Sequence, residues 1–263
     1  MGSRRAMLAA ARIGFRHHLA YRTEVVMALI SASLVAALNG SLWTAAMSAA
    51  PTIGGLPTEA WRTRILIAWV GIGAIATRVH EDIGGRFRDG QIAADLLRPL
   101  SLQAGAWARD LGRGIAAFGV SALPLLALTG LFVPLRWPEH AGTWPLWALS
   151  IALAHGTNFG LSFLLGLAAL RLKNVVGLSY LKATAVTLLS GALIPLELLP
   201  AGFREVAFAL PFQAMGRTPA MVFLEVGEVW PLLAVQLLWA VGLWIAGASA
   251  WRRVSNALTL EGG

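Results

Sequence analysis

Apolar residues run along the chain in long blocks rather than in alternation, and each block is bounded by charge. Spanning a bilayer takes about 20 consecutive apolar residues in a helix. Val25 to Met47 is the cleanest block, with no charged side chain in its 23 positions. Five more blocks predict spans over residues 63–79, 114–135, 143–170, 174–200 and 229–251. Pro124 falls inside the third, where a membrane helix tolerates it as a kink. The fourth contains one ionisable group, His155, and the fifth is interrupted by Lys182 and Glu197. A fifth span starting at Ala183, with Lys182 at the interface, is an open alternative. The first block is read as an uncleaved span rather than a signal peptide, because its apolar core is too long and 24 residues precede it. The expected fold is all-α and polytopic, with a six-span domain over residues 25–251.

Charge fixes the expected orientation. Arginine and lysine concentrate on cytoplasmic flanks. Of 21 basic residues, 15 fall on one side, in the amino-terminal segment, the 78–113 connection, Arg171, Lys173, Arg252 and Arg253. Five fall on the other (Arg62, Arg64, Arg136, Arg204 and Arg217), leaving Lys182 within a span. Both termini are therefore expected in the cytoplasm. Residues 1–24 predict a basic helix, either a flank that sets topology or one lying in the interface and gripping lipid headgroups. Residues 252–263 are expected to form a cytoplasmic tail.

Two connections do not read as plain loops. Residues 78–113 form the long cytoplasmic one, where Arg86, Arg88, Asp89, Asp95 and Arg98 surround a short amphipathic stretch, Ile92 to Leu97. Pro99 stops that helix, since it lacks an amide donor and constrains the residue before it. Leu96 and Leu97 have no use in a solvated loop and suit docking against another protein. Residues 201–228 form the second connection, apolar yet broken by Pro200, Pro211 and Pro219. Such a segment is too fractured to span and too apolar for an ordinary loop. Short helices re-entering the outer leaflet, or an interfacial cap, would satisfy both facts, with Glu197 and Glu205 near the outer mouth.

Composition then removes whole classes of function. Apolar residues make up 57% of the 263 and charged residues 13%, where soluble domains carry about 25% charge. A cytosolic enzyme and a nucleic-acid module are excluded as leading readings, the charge of +8 being distributed for a membrane. Without cysteine, neither thiol catalysis nor cysteine-ligated metal is possible. The two lysines, Lys173 and Lys182, do not follow glycine, so no G-x-x-x-x-G-K-[ST] phosphate loop exists. Ser162 lies seven residues from His155 on one helix, about 10 Å along the axis, too far for a nucleophile–base pair. His155 and Asn158 share a helical face, and intramembrane ionisable groups are functional candidates by default; interhelical hydrogen bonding is the simpler use. Glu197 is the carboxylate read as lying inside a span, which weakens a proton-coupled carrier.

Gly90 followed by Leu96-Leu97-Arg98-Pro99-Leu100-Ser101 resembles a "G…LLRPLS" stretch of bacterial ABC exporter permeases of the second type. Gly191, Pro195, Leu196, Leu199 and Pro200, continued by Leu210-Pro211-Phe212 and Pro219, resemble that family's "G…P-L…L-P…LPF…P" pattern. The resemblance covers essentially the whole chain. It implies half of an ATP-driven export pathway in a bacterial cytoplasmic (inner) membrane, without catalytic, cofactor or metal residues in this chain. ATP and Mg would be bound by separate ATPase subunits, and the membrane partner would be a second six-span permease, identical or related. The 78–113 loop, with Arg86, Arg88, Asp89, Asp95, Leu96, Leu97, Arg98 and Pro99, would be the coupling element. Pro195, Glu197, Pro200, Glu205, Pro211, Phe212 and Pro219 would belong to the outer re-entrant gate. The alternative is an ATP-independent secondary carrier or channel-like protein. The transported substrate is open.

Overall fold

The computed structural model describes residues 2–47, 52–53, 56–92, 101–132, 134–172 and 175–261. Among these residues the regular structure is helical apart from a small antiparallel pairing of β1 (Thr52–Ile53) with β2 (Leu56–Pro57). In chain order the helices are α1 (Gly2–Ala20), α2 (Arg22–Met47), α3 (Thr58–Ala74), α4 (Val79–Arg88) and α5 (Leu102–Ala117). A π-helical turn (Phe118–Ala122) leads into α6 (Leu123–Phe132), followed by α7 (Thr143–Leu172) and α8 (Val175–Leu189). The segment after α8 holds α9 (Phe203–Ala209) and α10 (Arg217–Phe223), and α11 (Val229–Glu261) follows. Among the described residues, Val25–Trp43, Leu102–Leu131, Thr143–Leu170 and Val229–Asn256 are helices long and apolar enough to cross a membrane; Val175–Leu189 is a shorter apolar helix.

At the centre lies α3. Its residues are buried on nearly every side, from Ala60 and Trp61 through Ile65, Ile67 and Val70 to Ala74, as expected of a helix apolar all round. It packs on α2, α10 and the π-turn, and contributes Leu66, Ile67 and Val70 to the main apolar core with Leu125, Trp147 and Phe223. A second core, nearer α4, gathers Val79, Ile83, Phe159, Phe163 and Trp251. Small residues allow the long helices to touch, as in membrane bundles generally. A Cβ on Gly160 would come within 2.7 Å of Leu243 Cβ, between α7 and α11. The same pair is tied by Gln236, fully buried on α11, which accepts from Ser150 Oγ at 2.9 Å and donates to the Ala214 carbonyl at 2.6 Å.

Several helix limits differ from the hydropathy blocks, each for a local reason. Residues 102–113 belong to α5 rather than to a loop. Ser101 caps that helix by accepting from the Ala104 amide at 3.2 Å, so the third long helix begins twelve residues before the apolar block. The π-turn just ahead of Pro124 absorbs the backbone mismatch that proline imposes. The block at 63–79 is helical over 58–74 and opens at Ile75. The fifth block ends its helix at Leu189, where Gly191 takes φ +80°, a conformation favouring glycine. Since α8 starts at Val175, Lys182 is an interior helix residue, not a flank. Residues expected in a terminal tail continue α11 through Glu261.

The basic amino-terminal helix packs directly on α5. Along α1, Gly14 meets the Arg109 carbonyl and, reciprocally, Gly112 of α5 meets the Ala11 carbonyl, so closely that a Cβ on either glycine would land on the opposing oxygen. The other side of α1 leaves Leu8 and Ile13 exposed. Gly112→Val should therefore pry α1 from α5. A penalty of about 1–3 kcal/mol is expected for such overpacking, read as faster proteolysis between α1 and α2. Unchanged proteolysis would mean that the glycine contact does not hold α1.

Candidate functional site

Where α3 ends, its last carbonyls face an apolar interior and need donors. Asn158 on α7 supplies one, Nδ2 to the Ile75 carbonyl at 2.7 Å, and Lys182 on α8 supplies another, Nζ to the Thr77 carbonyl at 3.4 Å. The Thr77 hydroxyl donates to Asp110 Oδ1 of α5 at 2.8 Å. Arg113, one turn later, pairs with the same Asp110 oxygen and reaches Thr77 Oγ1 at 3.3 Å. His155 Nε2 stands 3.4 Å from the other Asp110 oxygen. The stretch after α3 thus meets α5 and α7 at one buried carboxylate, and α8 joins them through the Thr77 carbonyl.

His155, Asn158 and Lys182 were visible in the sequence as isolated polar residues in apolar blocks. Asp110 and Arg113, which join them, were missed because they fell in the stretch read as a loop, and Thr77 because it sat unremarked at the end of the second apolar block. A signal did exist: Asp110 and Arg113 are three apart, and glycine and alanine around them mark a packed helix rather than a solvated connection. The view that Glu197 is the carboxylate within a span needs correction, because Asp110 lies 2% exposed inside the Leu102–Leu131 apolar helix.

At the opposite end of α3, Arg64 is 1% exposed, so it is no topological flank. Its Nη2 donates to Glu197 Oε2 at 2.5 Å, and Arg217 Nε donates to Glu197 Oε1 at 2.7 Å. The Arg64 guanidinium lies 4.8 Å from the Trp61 ring centre, and Arg217 is equally close to Phe208. The Arg217 amide reaches back to the Ser190 carbonyl at 2.7 Å. Glu197 therefore binds the central helix to the broken segment after α8. Glu205 does not join it. That residue is exposed and accepts from the Gly202 amide at the start of α9, and backbone donors at its own residue and at Gly202 hold its carboxyl below the usual range.

Of the expected gate residues, Pro195 is buried and Phe212 packs beside Met215. Pro200 precedes α9, and Pro211 opens a 3₁₀ turn (Pro211–Ala214). Pro219 breaks nothing, since it is the third residue of α10, where its missing amide would be an unpaired helix-end donor anyway. A further clip closes this face. Glu225 accepts from the Thr143 hydroxyl at 2.5 Å and the His140 amide at 3.0 Å, bonds that pull its carboxyl down to about 2.

On the face opposite this clip, α4 carries Glu81 and Asp82 in its first turn and Arg86 and Arg88 in its last, the arrangement that the helix dipole favours. Asp89 is its C-cap, and Gly90 takes φ +67° while its amide reaches the Phe87 carbonyl. The Gln91 amide bonds the Arg86 carbonyl at 2.8 Å, completing a Schellman stop. Ile92 is buried. Asp95, Leu96, Leu97, Arg98 and Pro99 lie outside the described residues.

Between α3, the α5–π-turn helix and α8, a lateral cleft of about 1050 Å³ opens beside the Asp110 cluster. Leu29, Trp69, Ile72, Val176, Tyr180 and Val186 give it apolar walls, while Lys182, His80 and Arg113 reach its polar end. Burial, and then the Lys182 and Arg113 charges, push the His80 imidazole down to about 4, so at neutral pH it is an uncharged ring. A smaller crevice of about 440 Å³ lies between α1, α4 and α5.

A family model described as "ABC-2 family transporter protein" matches residues 42–262. Comparison with curated proteins and with solved structures gives no match.

Proposed function

Because the chain belongs to the ABC-2 transporter family, we propose that this transmembrane transporter subunit is half of an ATP-driven exporter, powered by a separate ATPase. Its proposed setting is a bacterial cytoplasmic membrane, crossed six times with both termini inside, and its second half another six-span permease, identical or related. Nucleotide and Mg would bind to the ATPase, and this chain's part is to bind, gate and transmit.

The observation that carries the mechanism is the continuity between α4 and the Asp110 cluster. Thr77, which accepts from the Val79 amide at the start of α4, also donates to Asp110. A push on α4 or on the segment after Gly90 would reach α3, α5, α7 and α8 together through this cluster. The charged end of α4 and the 93–100 segment are proposed as the ATPase-docking element, with Arg98 pairing an acidic partner group and Leu96 and Leu97 filling an apolar groove. The segment from Pro195 to Pro219 is proposed as the outer gate, latched to α3 through Glu197.

The test is assembly. Purified permease should carry a stoichiometric ATPase. Leu97→Asp places an unpaired charge in the proposed groove, at a cost of several kcal/mol if it stays buried, and Arg98→Ala removes an anchor of a type that contributes about 2 kcal/mol or more. The pair should strip the ATPase or leave hydrolysis without transport, with insertion normal. Intact assembly and export in the double variant would remove this segment as the coupling element. A buried aspartate beside a histidine, as at Asp110 and His155, favours the ATP-independent carrier as second reading; transport that persists without any ATPase would establish it.

A further inference from the structure

Several residues lining the lateral cleft carry buried hydrogen-bond donors that have no acceptor. Lys182 is 8% exposed on an apolar helix and, among the described residues, its ammonium has the Thr77 carbonyl as a hydrogen-bond acceptor and no carboxylate within ion-pair distance. Neither ring nitrogen of buried His80 has a hydrogen-bond partner, and the same is true of the Trp69 indole nitrogen and Arg113 Nε. All four residues line the cleft. Glu81 and Asp82 line it too, with Glu81 Oε1 standing 3.8 Å from His80 Nε2, beyond hydrogen-bond distance; both are exposed to water and Arg78 and Arg88 share the lining with them. Buried donors without acceptors, and two cations, Arg113 and Lys182, sharing the buried Asp110 carboxylate, are costly in an apolar setting. They call for a ligand that brings oxygen acceptors and negative charge. Trp69, Ile72, Tyr180 and Val186 continue the same cleft as an apolar wall.

We infer that the cleft binds an anionic amphipath, its phosphate or carboxylate head on Lys182, His80 and Trp69 and its aliphatic tail along α3 and α8. The head gains charge-assisted bonds that the folded chain leaves open, and the tail gains the ordinary benefit of apolar contact. Two sources share this chemistry: an anionic lipid of the bilayer and a cargo of the proposed exporter. Binding itself needs no ATPase, so it stands or falls apart from the export reading; the cargo assignment alone rests on that reading.

The full chain, reconstituted in nanodiscs of neutral phosphatidylcholine, is titrated with a lysophosphatidic acid carrying a fluorescent tail, and in parallel with the lysophosphatidylcholine of the same tail. The anionic probe should bind at least tenfold more tightly. Lys182→Met should erase that preference while Lys182→Arg retains it, and a fall in melting temperature is expected for Lys182→Met alone, since the Thr77 carbonyl then loses its donor. Ser179→Glu, one turn away on the same lining, should also erase the preference by giving Lys182 an internal counter-ion. Equal affinity for the two probes, or a preference that survives both variants, would overturn the inference. So would a Lys182→Met effect on self-association of the chain with no effect on probe binding, which would mark the cleft as a contact between copies. With the ATPase present, ATP-driven movement of the bound probe identifies cargo. Tight binding without movement identifies resident lipid, and absence of ATP-driven transport of any kind counts against the exporter alone.

Discussion

Asp110→Asn should be among the most damaging single substitutions in this protein. The carboxylate is buried and holds Arg113 and Thr77 by direct contact, with His155 facing its second oxygen. Removing the anion leaves Arg113 uncompensated beside the Lys182 cation. Breaking a buried pair from one side costs about 3–5 kcal/mol, which would appear as a large fall in melting temperature of the detergent-solubilised protein. Replacing both partners, as in Asp110→Leu with Arg113→Met, should recover most of that loss, because neither charge then remains buried alone. Rescued variants separate stability from mechanism: if the cluster transmits ATPase movement, they should hydrolyse ATP without transport. A double variant that transports normally would show the cluster to be structural.

Glu197→Gln is expected to do comparable harm at the other end of α3. One carboxylate there serves two guanidiniums, and without it Arg64, shut away from water, would face Arg217 with no anion between them. About 3–5 kcal/mol is again the expected cost. Arg217→Met should be far milder, since a one-to-one Arg64–Glu197 pair survives and Arg217 is the more exposed partner. If this ion cluster latches the outer gate, Glu197→Gln should also raise labelling of a cysteine placed at Ser190, which is buried and bonds the Arg217 amide. Equal melting of the Glu197 and Arg217 variants would mean that Arg64 finds another partner or is hydrated.

Much of the helical pattern depends on local sequence alone. Uncharged runs such as Val25 to Met47 become helices wherever their neighbours lie, since backbone groups in an apolar setting must bond within their own segment. Pro200 and Pro211 likewise act on their own φ angles, so that much of the fragmentation between 195 and 216 was legible from residue order, while Pro219 sits inside α10. His155, Asn158 and Lys182 stood out because a polar side chain in an apolar run is conspicuous without any partner being known.

Asp110 and Arg64 were misplaced for the converse reason. Each is a charge near the edge of an apolar run, and in sequence a solvated edge and a paired interior look alike. What separates them is contact with residues remote in the chain: Glu197 lies 133 positions from Arg64, and Lys182 lies 105 from Thr77. The direct packing of α1 on α5 depends in the same way on Gly14 and Gly112 meeting backbone of the opposite helix. Sequence alone determined the helical, strongly apolar class of protein, the neighbourhoods of its long apolar helices though not their ends, and the asymmetry of its charge, because hydropathy and backbone preference act over a few residues. Only tertiary structure decided that α3 is the central helix, that both its ends are held by buried ion clusters, and that a donor-rich cleft opens beside one of them. A charge can be kept in an apolar interior only by a partner brought to it through the fold.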